Sequence, residues 1–132
     1  YHTACQSHQS GIPMIRPLVM EYPKDPIAKT QNLSYMLGDA LLISPGFDRD
    51  EYELYLPEGR WQDIESKEVY EGMTFVHIEN KAFADGGTSL RVFQKEGTSI
   101  PLFAQKEVLH VPAQLWKQED LEFMIFQKKD VD

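Results

Sequence analysis

The sequence predicts a mainly β fold, an antiparallel β-sandwich preceded by a short α/β segment. Three observations carry that expectation. After Phe47, short strands bounded by Gly, Asn or Pro recur at intervals of about ten residues, the rhythm of a sandwich or barrel. The stretch EYELYL alternates, with Tyr52, Leu54 and Leu56 on one face and Glu51, Glu53 and Tyr55 on the other. Before Phe47 the texture differs, and the order reads helix, strand, helix, strand, as in an α/β unit.

Taken in order, Tyr1 to Ser10 is expected to form a short helix, ended by Gly11 with Pro13 just beyond. The run IPMIRPLVMEYP, Ile12 to Pro23, is almost continuously apolar. That predicts a strand buried on both faces, as in a parallel sheet, although Pro13 and Pro17 cannot donate to a ladder. In DPIAKTQNLSYML, Asp25 reads as an N-cap and Pro26 as the first helical residue. Ile27, Ala28, Leu33, Met36 and Leu37 follow roughly helical spacing, so a helix ended by Gly38 is expected. ALLISPGF is the next buried strand. Then come EYELYL, RWQDI, EVYEG, MTFVHIEN, SLRVFQKEG and TSIPLF, each a short strand. LEFMIF, Leu121 to Phe126, follows a mixed segment and precedes the charged tail QKKDVD. The change of texture near Phe47 places a boundary there.

Composition narrows the function classes. A chain of 132 residues with 42% hydrophobic residues can build an ordinary core. Its net charge of −8, with no basic stripe beyond Lys128 and Lys129, excludes nucleic acid as a partner and leaves neutral ligands such as sugars open. The single cysteine, Cys5, excludes an internal disulfide framework and leans towards the cytoplasm. No apolar run approaches the ~18 residues of a membrane helix, so no membrane partner is expected. Tyr1 is not Met, and YHTACQSHQ has no basic or apolar leader region. The chain is therefore expected to be a fragment beginning inside an element.

Several residue groups invite a chemical reading, and each has a plainer one. Glu21 and Asp25 form a possible carboxylate pair, but Pro23 lies between them and Asp25 reads better as a cap. His2, Cys5 and His8 share helical spacing but spread around the helix without a fourth ligand, so packing is preferred to metal binding. Trp61, Tyr70, Tyr52 and Tyr55 are candidates for stacking on sugar rings, while alternating aromatics in short strands more commonly build a core. His77 and His110 read as isolated structural residues. DRDEYE, Asp48 to Glu53, lacks the spacing of a calcium loop and reads as a solvated turn.

Four stretches carry a family resemblance: GIPMIRPLVMEYPKDP, YMLGDALLISP, YLPEGRW with the following VYEG, and RVFQKEGTSIPLF. In this order and spacing, over residues 1–103, the chain resembles the C-terminal part of glycoside hydrolase family 31, the α-glucosidases and α-xylosidases. It departs from the family pattern at Met73, where a second Gly usually follows VYEG, and at Gln94 and Lys95, where Val-Arg is usual. The segment KAFADGGTSL also differs from the family's usual lead-in.

The resemblance implies that residues 1–47 end a catalytic (β/α)8 barrel. Residues 48–103 would then form the proximal sandwich, and 104–132 a linker and the first strand of a distal β domain. It implies a retaining mechanism with two aspartates, both upstream of this chain. No residue here matches a catalytic, substrate-binding or metal position, and no cofactor is implied. The partners are the rest of the barrel and an oligosaccharide or α-glycoside substrate. Met20 to Asp25, at a strand's C-terminal end, are candidates only for the outer wall of the site. Glucose and xylose preference are not distinguished. The alternative is a self-standing β-sandwich that binds carbohydrate or protein, which has no use for a doubly buried strand at Ile12 to Met20.

Overall fold

The computed structural model describes residues 1–47, 49–79, 89–103 and 121–128. Helix α1 (His2–Ser10) ends as the sequence predicts: Gly11 takes the left-handed conformation, φ 75°, and its N–H donates to the Ser7 carbonyl at 2.8 Å. Ten strands follow among the described residues: β1 (Ile15–Pro17), β2 (Tyr35–Leu37), β3 (Leu41–Phe47), β4 (Glu51–Leu56), β5 (Arg60–Asp63), β6 (Val69–Glu71), β7 (Thr74–Glu79), β8 (Ser89–Lys95), β9 (Thr98–Phe103) and β10 (Leu121–Phe126). A short helix α2 (Leu18–Glu21) and a 3₁₀ turn (Ala28–Thr30) complete the elements. The fold is mainly β and antiparallel, as expected. No described helix is long and apolar enough to cross a membrane.

Six strands form one sheet in the order β1-β2-β3-β8-β5-β6, while β4 pairs with β7 and β9 with β10. The large sheet runs across residue 47, because β3 pairs with β8 from Leu41↔Gln94 to Phe47↔Ser89. One core fills the space between it and the β4–β7 ribbon: Leu18, Met36, Leu42, Leu54, Tyr55, Trp61, Ile78 and Phe93 are almost wholly buried. In β4, Tyr52, Leu54 and Leu56 are buried as the alternation predicts; Tyr55 is buried on the opposite face, beside Phe75.

Two expectations for the N-terminal third are corrected. Ile12 to Pro23 is not a strand buried on both faces. Only Ile15–Pro17 is extended, at the edge of the sheet, with Arg16 buried and its neighbours exposed. Pro17 lacks the N–H that a central strand needs, and it opens α2 instead. The helix expected over Asp25 to Leu37 is likewise absent. Asp25 does cap, its Oδ1 accepting from the N–H groups of Ile27 (2.9 Å) and Ala28 (3.2 Å), but only the 3₁₀ turn follows. Tyr35–Leu37 pairs with β1 and β3, so tertiary pairing overrides a weak helical spacing. Gly38, φ 65°, is the turn of that hairpin, and Thr3 of α1 packs against it.

Gln94 ties the β9–β10 ribbon to the large sheet. Fully buried on β8, its Nε2 donates to the Thr98 carbonyl at 3.0 Å and to the Met124 carbonyl at 2.9 Å. The Gly97 N–H adds a bond to the Phe126 carbonyl at 2.7 Å.

Candidate functional site

The segment from Pro13 to Ala28, which contains the expected outer wall Met20 to Asp25, is held at three points. Arg16 Nε donates to the Pro13 carbonyl at 2.6 Å, and its Nη1 bonds Glu21 Oε1 at 2.9 Å. Tyr22 lies against the core with Lys95 Nζ 5.2 Å from its ring centre. Burial, with the nearby Glu21 and Glu58 carboxylates, pushes its hydroxyl well above the ordinary phenol range. Asp25 Oδ2 accepts from the buried Tyr55 hydroxyl at 2.6 Å. Burial pushes the Asp25 carboxyl up, but the Tyr55 hydroxyl and the amides of Ala28 and Ile27 outweigh it and hold the group below the usual range. Tyr55 is pushed up to about 12, by burial first and by Asp25 second.

Both carboxylates of this segment are thus engaged in structural bonds. Glu21 neutralises a buried arginine, and Asp25 organises a turn and caps a core tyrosine.

The other sequence candidates fall as follows. His2, Cys5 and His8 lie on α1, which buries none of its residues, and no metal-binding cluster of His, Cys, Asp and Glu occurs among the described residues. Trp61 is completely buried, its indole N–H donating to the Pro57 carbonyl at 2.8 Å. Tyr52 and Tyr55 are buried, and the Tyr52 ring is covered by the Arg49 guanidinium at 4.1 Å. Tyr70 stands edge-on to Phe93 and bonds Glu68 through its hydroxyl. Trp61, Tyr52 and Tyr55 thus belong to the core, and the half-buried Tyr70 packs at its rim. His110 and Asp48 lie outside the described residues.

Sequence reasoning missed two charged pairings that depend on strand register. His77 is not isolated: its Nδ1 lies 2.8 Å from Glu53 Oε1 and its Nε2 3.5 Å from Glu51 Oε2. The hydrogen bond to Glu53 is the main cause that raises its pKa. Asp63 is buried, with Oδ1 accepting from the amides of Glu65 and Ser66 and Oδ2 3.1 Å from Arg91 Nη2.

Comparison with known proteins fits this geometry. The profile of the Glycosyl hydrolase family 31 C-terminal domain matches residues 11–107. Neutral alpha-glucosidase AB of Homo sapiens is 35% identical over 105 residues, across 76% of this chain and 11% of that protein. Alpha-glucosidase 2 of Bacillus thermoamyloliquefaciens is 34% identical over 116 residues, across 85% of this chain and 14% of that protein. Among solved structures, a family 31 dextranase of Flavobacterium johnsoniae complexed with isomaltotriose superposes with a TM-score of 0.68 at 30% identity, over 76% of this chain and 12% of that one. The chain therefore spans only about a tenth to a seventh of the length of these relatives. By its sequence match and its antiparallel fold, the chain belongs to glycosyl hydrolase family 31, as the family's C-terminal domain.

Proposed function

We propose that this domain is the structural C-terminal portion of a retaining α-glycosidase acting on terminal α-linked glucose or xylose in an oligosaccharide, and that it is inactive alone. One observation carries the second half of that reading: Glu21 and Asp25, the carboxylates at the candidate wall, are both held in structural bonds. The α-glucosidase names of the relatives support the first half.

The partner proposed is the barrel of its own enzyme. Residues 1–47 complete the sheet and also carry a run of exposed apolar side chains, Ile12, Met14, Ile15, Val19 and Met20, with Ile15 59% exposed. Such a surface gains by being covered. On this reading residues 48–103 form the proximal sandwich, and 104–132 a linker and the first strand of a distal β domain, a strand that pairs with β9. A cytoplasmic setting is proposed on the single cysteine.

The test is hydrolysis of an aryl α-glucoside and an aryl α-xyloside by the purified domain and by the full reading frame that encodes it. The full protein is expected to turn over at least one of them and the domain neither. Turnover by the domain, linear in its concentration and surviving repurification, overturns the reading.

A further inference from the structure

We draw no further inference here: the strongest candidate, the largely apolar groove between the first turn of α1, the β2–β3 turn and the β9–β10 ribbon, lined by Leu37, Leu41, Ile100, Leu102 and Phe123, is an unpartnered face, and nothing in the structure shows what covers it.

Discussion

Gly72 and Met73 form the joint between β6 and β7, and they have opposite tolerances. A Cβ on Gly72 would overlap the Pro57 carbonyl oxygen and lie 2.5 Å from the Gly59 carbonyl oxygen, both backbone atoms that cannot yield. Gly72→Ala is therefore expected to cost about 3 kcal/mol, as overpacking against a fixed backbone does, read as a fall in the denaturation midpoint. Met73, at φ 57° and 70% exposed, holds the place where the family usually has a second glycine. A left-handed Met costs about 1–2 kcal/mol, partly offset by the chain entropy a glycine loses on folding, so Met73→Gly is expected to gain about 0.5–1 kcal/mol. A loss of stability in that variant would show that the Met side chain contributes packing. Asp25 and His77 set opposite pH limbs. The depressed Asp25 group contributes stability above its unfolded pKa of about 3.9, lost as pH falls through the lower folded value. The raised His77 group contributes below its unfolded value of about 6.5, lost as pH rises through the higher folded one. Thermal midpoints measured against pH are expected to show Tyr55→Phe altering the acid limb and His77→Gln the neutral limb. The reverse assignment would refute both.

At the scale of elements, Gln94 decides how firmly the β9–β10 ribbon is held. A two-stranded ribbon is marginal by itself, and this one is joined to the large sheet by the Gln94 carboxamide, while the Gly97–Phe126 bond extends the ribbon into the β8–β9 turn. Gln94→Leu removes the donor to the Met124 carbonyl but also removes an Oε1 that has no partner among the described residues. The expected cost is therefore about 1–2 kcal/mol, towards the lower end for a buried donor. Amide exchange is expected to accelerate in β10 more than in β3; uniform acceleration would mean that Gln94 supports the whole core instead. The strands from β4 onward were legible in the sequence because period-two alternation and turn residues are local signals. The region 12–37 was not. Its strands are fixed by long-range partners, Arg16↔Met36 and Met36↔Leu42, and by Arg16 turning inward to Glu21. Nothing in a short apolar run reports such pairing. The candidate site was half legible for the same reason. Asp25 as a cap is a local pattern, whereas its bond to Tyr55, the Glu53–His77 pair and the Asp63–Arg91 pair each join residues from separate elements.

At the scale of the whole molecule, two surface properties oppose each other when the domain stands alone. The net charge of −8 makes copies repel. The edge strand β1 and the helix after it present Ile15, Val19 and Met20 to solvent, beside Ile12 and Met14, and an apolar edge with no further strand partner among the described residues invites association. Salt weakens only the first effect, because at about 0.15 M charges more than ~8 Å apart are screened while apolar burial is not. The isolated domain is therefore expected to sediment mainly as a monomer at low ionic strength and to associate as salt rises. Replacing one apolar side chain on this edge by a cation, in Ile15→Lys or Met20→Lys, lowers the net charge and so reduces repulsion, yet it is expected to suppress association, because the apolar contact is what joins the copies. That opposition makes sedimentation velocity decisive. If the lysine variants associate more than the parent, charge governs the assembly; if they stay monomeric in salt, the apolar edge at β1 is the surface that joins the copies.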